Sequence, residues 1–205
     1  MAALHERLVF DSARGAVLDG PRRYLLVRAD VLMGLFANLE GAARDQALAA
    51  FGRSVAEHGA DSVRAYREAV GAAALPPMME GAAASLGWGR WRFDADDVAA
   101  LHPQVAAPGT EPTQRLRLCV TDSPFAAAAP RGDGPACHAI AGMLEALGGT
   151  LWSSPAEARE THCAAQGGEP VCRFVVAPRA HDEAIVPPSS DTSPARRHHR
   201  QGDPS

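Results

Sequence analysis

The chain has 205 residues, 46% of them hydrophobic and 21% charged, with a formal net charge of -4. That length suits one well-buried domain and is short for two, the charge balance does not suggest a nucleic-acid surface, and no run approaches the roughly 20 apolar residues of a membrane span. All 20 basic residues are arginine, which excludes a Schiff-base lysine and a GxxxxGK phosphate loop.

Residues 7 to 28 alternate apolar runs with turns: Leu8-Val9-Phe10, Ala16-Val17-Leu18 and Tyr24 to Val27, with Asp19-Gly20-Pro21 predicting a small hairpin between the last two. Asp30 is the expected N-cap of a helix that buries Val31, Leu32, Leu35, Phe36 and Leu39. A second helix is predicted over 44–57, and a third after Asp61 with Val63, Tyr66 and Val70 on its face. Pro76-Pro77 breaks the series before a last helix from Met78 to Leu86, and the many alanines favour close helix contact.

From Gly87 the pattern changes to period two. Trp91 and Phe93 fall on one side of a strand with Arg90 and Arg92 on the other, and Leu116, Leu118 and Val120 do the same opposite Arg115, Arg117 and Cys119. Residues 103–113 read as a loop, and 126–134 as a connection rich in Ala, Pro and Gly. Cys137 then opens a helical pattern, with Ile140, Met143, Leu144 and Leu147, that Gly148-Gly149 ends. Glu160 and Cys163 lie near the end of a strand, and Cys172 starts the apolar run with Phe174, Val175 and Val176. Beyond it, 178–205 holds too little apolar surface to offset ordering, so a disordered tail is expected. The expected fold is α+β: an antiparallel sheet packed by helices, with a helical N-terminal half.

Cys137, Glu160, Cys163 and Cys172 carry the chemistry. Three thiolates and a carboxylate can close a tetrahedral zinc shell with no open position, which makes a structural site. The same cysteines also read as ordinary buried thiols, since free cysteine is among the most buried residue types and no compact CxxC pair is present. Cys119 stands outside the pattern. With four cysteines at this size there is no disulfide framework, and with no apolar leader after Met1 the expected location is the cytoplasm.

The order Cys137, Gly142-Met143-Leu144, Glu160-x-x-Cys163, a glycine loop and Cys172-Arg173-Phe174, with Ser123-Pro124-Phe125-Ala126 before it, resembles the 4-vinyl reductase domain family. That family includes sensor domains of phenol- and xylene-responsive regulators, a bacteriochlorophyll-synthesis protein and archaeal hydrocarbon-binding proteins. The resemblance implies a structural zinc held by Cys137, Glu160, Cys163 and Cys172, and a homodimer formed through the helical N-terminal half. It divides the chain into 1–85, strands and helices of the same domain, 86–177, the zinc- and ligand-binding core, and 178–205, the tail.

Two functions follow. In the first, a stand-alone protein binds a hydrophobic aromatic or tetrapyrrole ligand in an apolar cavity, as a carrier, assembly factor or sensor with a protein partner. Trp88, Trp91, Phe93, Phe125 and Trp152 are candidate walls, His102 and His138 candidate anchors, and ordinary core packing is the other role open to the aromatics. In the second, an enzyme or accessory factor acts on the 4-vinyl group of a chlorophyll precursor. Hydride transfer needs a nicotinamide or flavin, yet no GxGxxG opens a helix after a strand, and GxSxG and HExxH are both missing. A closed zinc shell offers no catalytic water, so the sequence favours binding.

Overall fold

The computed structural model describes residues 4–101, 114–131 and 134–179. His102, the 103–113 loop and the expected tail from residue 180 on lie outside the described residues. A short helix, α1 (Leu4–Arg7), leads into a meander of β1 (Val9–Asp11), β2 (Ala16–Asp19) and β3 (Arg22–Tyr24). Asp19 pairs with Arg22 across the hairpin, and Gly20 turns it at a φ of 60°, a conformation that suits glycine. An ion pair of 3.0 Å between Arg7 and Asp19 fastens this small sheet.

Three helices follow it, and all three depart from the sequence expectation. In α2 (Ala29–Ala37), Arg28 holds the N-cap position, and Asp30 sits inside the first turn in an ion pair with Arg28. The buried residues are Met33 and Phe36, whereas Val31 and Leu35 are exposed, because the helix turns its other side toward the body. The two helices expected over 44–57 and beyond Asp61 are one, α3 (Gly41–Val70), a rod about 45 Å long at 1.5 Å per residue. Asp61 does not interrupt it because it pairs with Arg64 one turn on and the intervening chain holds no proline. In α4 (Leu75–Ser85) the two prolines start the helix instead of preceding it: in the first turn their missing N–H groups have no intrahelical partner to lose.

The main sheet consists of β4 (Arg90–Phe93), β5 (Leu116–Thr121), β6 (Ala156–His162) and β7 (Val171–Pro178), in the order β4-β5-β7-β6, antiparallel throughout. Trp91, Phe93, Leu116, Leu118, Val120, Phe174 and Val176 face the core, and Arg90, Arg92, Arg117 and Arg173 face outward, as the alternation dictates. Between the strands lie α5 (Ala95–Ala99) and α6 (Pro124–Ala128). Both have side-chain caps, Asp94 accepting from the N–H groups of Asp96 and Asp97, and Ser123 from that of Ala126. Ser123-Pro124-Phe125-Ala126 is therefore the start of a helix just after a strand, and part of the expected 126–134 connection is helical.

Packing on the sheet is α7 (His138–Trp152), and α3 lies across α7. Their crossing is made possible by two glycines: a Cβ on Gly142 would stand 2.0 Å from the Gly52 carbonyl oxygen, and one on Gly52 would be 2.7 Å from that of His138. Gly148-Gly149 does not end α7, which runs on to Trp152 and stops where Ser153 takes a φ of 54°. Gly148 is instead a contact position, since a Cβ there would meet the Trp152 ring at 2.6 Å and Ala156 at 2.7 Å.

Candidate metal centre and ligand cavity

Cys137 sits at the N-cap position of α7, Cys163 directly follows β6, and Cys172 is the second residue of β7. Glu160 and Cys163 are three apart, so a regular strand would send them to opposite faces. The register shifts between Glu160, which pairs with Phe174, and His162, which pairs with Arg173. Thr161 is the extra residue of this bulge, and its hydroxyl donates to the Arg173 carbonyl at 3.2 Å. The bulge reverses the alternation, so Glu160 and Cys163 both face inward and His162 outward, its ring 3.4 Å from the Glu169 carbonyl oxygen.

The ligand atoms of Cys137, Glu160, Cys163 and Cys172 all lie within 4.8 Å of one another, and the three cysteines are fully buried. The Cys137 and Cys172 sulfurs are 3.6 Å apart, far beyond the S–S bond length of about 2.05 Å, so they are separate thiols. One Glu160 oxygen accepts from the Cys137 N–H at 3.1 Å, while Oε1 is buried with no partner. Such an orphan is costly unless something fills it. Hydrogen bonds from the Cys137 and Cys172 thiols hold the Cys163 thiol well down, whereas the contacts with Cys163 and Cys172, and burial, push Cys137 up. Burial, with Cys163 beside it, raises the Glu160 carboxyl to about 8. Four acids that oppose each other's ionisation around one point are reconciled by a cation at that point, and the cluster can hold a metal ion. Ser123, whose hydroxyl is 3.3 Å from the Cys137 sulfur, and the Ala164 N–H, which donates to the Cys172 sulfur at 3.4 Å, orient the thiols from outside. The Ser-Pro cap signal is visible in the sequence; its closeness to Cys137 is not. Cys119 is on the outer face of β5, apart from the cluster.

A cavity of about 330 Å³ opens where α3, α4, α7, β3 and the Trp88–Trp91 segment meet. Its apolar wall includes Val63, Met79, Leu86, Trp88, Trp91 and Met143. The Trp91 indole N–H donates to the Trp88 carbonyl at 3.2 Å, so that polar edge is satisfied. Of the aromatic candidates only Trp88 and Trp91 line this space. Phe125 packs edge-on against Trp88, with centroids 5.3 Å apart, and supports the wall from behind; Phe93 packs against Trp91. Trp152 lies over Gly148 at the end of α7. His138, half-buried beside Cys137, has its imidazole lowered by burial and is neither in the cavity nor in the metal cluster. The polar lining comes from residues the sequence reading does not single out: Arg22, Tyr24, His58, Ser62 and Tyr66. A broader groove of about 700 Å³ between α3, α7 and β6 is lined by Arg64, Arg67, Glu68 and Glu145 and holds none of the aromatic candidates.

Residues 116–178, from β5 to the end of β7 and so including the whole cluster, match the family model of the 4-vinyl reductase domain. The resemblance read from the cysteine spacing is borne out over that stretch. Among solved structures, the chain is similar to the phenol-responsive sensory domain of the transcription activator PoxR with phenol, at a TM-score of 0.66 and 19% identity, covering 85% of this chain and 86% of that one. It is also similar to a vinyl-4-reductase family protein from Methanocaldococcus jannaschii, at a TM-score of 0.40 and 14% identity, covering 71% and 73%. The first likeness includes the helical half and shows that the fold is shared. No curated protein matches the chain.

Proposed function

We propose that this protein binds a small hydrophobic molecule in the cavity bounded by Trp88 and Trp91, and that binding, not catalysis, is its task. The observation that carries this reading is the cavity itself: apolar walls, two tryptophans and a few polar groups at about 330 Å³. That is the lower end of the range for small-molecule sites, and it suits one aromatic ring or a short chain better than a tetrapyrrole. The likeness to a domain crystallised with phenol supports it. The cluster of Cys137, Glu160, Cys163 and Cys172 would hold a structural zinc. Zinc–sulfur bonds of about 2.3 Å in a tetrahedron set sulfurs about 3.8 Å apart, against 3.6 Å for Cys137 and Cys172, and the orphaned Glu160 oxygen supplies a fourth donor.

The protein would act in the cytoplasm, where thiols stay reduced, as a homodimeric carrier, assembly factor or sensor with a protein partner. The exposed apolar residues of the N-terminal half support the dimer. Titration with 4-methylphenol tests the binding. It should quench tryptophan emission saturably and raise the melting temperature, by about 2.7 kcal/mol of stability at a hundredfold excess over the dissociation constant, and Trp91→Ala should weaken both. Cofactor-dependent reduction of a vinyl tetrapyrrole by the pure protein would overturn the preference for binding.

A further inference from the structure

The chain carries 24 acidic residues, yet no carboxylate is among those lining the cavity. Its polar groups are hydroxyls, an imidazole and guanidiniums. Strand alternation sets Arg22 and Tyr24, both half-buried, on the cavity side of β3, while Arg23 is exposed and donates to the Gly15 carbonyl at 3.0 Å. The nearest acid, Asp19, lies across the hairpin from Arg22, but Arg7 already grips both its oxygens, at 3.2 and 3.0 Å. Arg22 makes no ion pair among the described residues. The buried Tyr66 hydroxyl accepts from Arg7 at 3.4 Å, so its own proton is free to be donated. Burial, with Tyr66 beside it, raises the Tyr24 phenol, which therefore stays protonated and is a second hydroxyl donor.

From this convergence of donors at one end of an apolar cavity, we infer that the ligand is a small apolar monocarboxylate. Its ring or chain would lie against Trp88, Trp91 and Met143, and its carboxylate would meet Arg22, Tyr24 and Tyr66. A carboxylate accepts several such bonds at once, and charge-assisted bonds are about twice as strong as neutral ones. This rests on the cavity reading above and adds the chemical class of the ligand.

Calorimetric titration of the full chain with 4-methylbenzoate, octanoate and 4-nitrotoluene tests it. The nitro compound matches the benzoate in shape and carries no net charge. A carboxylate should bind at least tenfold more tightly than 4-nitrotoluene, and the stronger of the two acids tells an aryl from an acyl ligand. Arg22→Gln should bring the ratio of carboxylate to nitro affinity near one, and Arg22→Lys should keep most of it. Equal binding of acid and nitro compound by the unmodified chain, or a preference that survives Arg22→Gln, overturns the carboxylate assignment and leaves the cavity reading intact. If no small apolar compound binds at all, the cavity reading itself has failed, and this inference with it.

Discussion

Cys163 is the residue on which the cluster depends most, because it joins β6 to the turn at Ala164–Gln166 and its thiol contacts both other cysteines. A structural metal contributes its binding energy to folding. Protein made in zinc-containing medium should hold about one zinc per chain and lose melting temperature on strong chelation. Cys163→Ser should lose the metal and melt lower, whereas Cys119→Ser should do neither; full zinc content in Cys163→Ser would overturn the ligand assignment. Asp97 is a second residue with a measurable role. It is buried and receives the Arg117 N–H at 2.9 Å and the guanidinium at 2.8 and 3.0 Å. Burial works to raise its carboxyl, and these bonds from Arg117 more than offset that, holding it below the usual range. A carboxyl lowered by folding stabilises the protein above its unfolded pKa, near 3.9, and the effect fades as pH falls through the folded value. Asp97→Asn should therefore cost about 1–3 kcal/mol at pH 7. Denaturant curves should show the gap closing below about pH 4.

The strands are the elements most legible in the sequence. Period-two alternation in 115–120 and 90–93 gives both the buried face and the outward arginines, because one face of the sheet packs on helices and the other does not. The helices are misjudged where glycine and proline are read as punctuation. Gly52, Gly59, Gly142 and Gly148 sit inside helices because a neighbour occupies the space of the missing Cβ, and a neighbour distant in sequence leaves no local signal. The bulge at Thr161 is equally silent. The spacing of Glu160 and Cys163 suggests shared ligation without saying how a strand could deliver it. The helix crossing has its own test. Gly142→Ala would place a methyl group 2.0 Å from the Gly52 carbonyl oxygen, where backbone, not a flexible side chain, must move. The expected loss is about 2–4 kcal/mol, the scale of severe overpacking. Gly134→Ala, with open space around its Cβ, should change little. Similar melting temperatures for the two variants would mean that α3 and α7 do not cross this closely.

At the scale of the molecule, the metal centre and the cavity use different parts of the chain, and that governs what can be read. The metal ligands fall within one stretch of the sequence, so their spacing is visible. The cavity takes Arg22 and Tyr24 from the hairpin, Tyr66 from α3 and the tryptophans from beyond α4, so only the aromatics stand out. The same N-terminal half bears the large apolar side chains left outside: Phe10 is 61% exposed, Leu25 83%, Leu26 71%, Val31 60% and Leu35 62%. Single exposed apolar residues are ordinary, but several from neighbouring stretches of chain, on β1, the segment after β3 and α2, mark an interaction surface. A second copy of the chain would cover it, which couples assembly to the hairpin that closes the cavity. Sedimentation should then give a dimer at micromolar concentration, and Leu26→Glu with Leu35→Glu should give a folded monomer, since charges at the centre of an apolar interface are left unpaired. Because the hairpin carries Arg22 and Tyr24, the monomer should also bind ligand more weakly. A wild-type chain that sediments as a monomer would remove the dimer from the reading, and a double variant that stays dimeric would move the interface to another face.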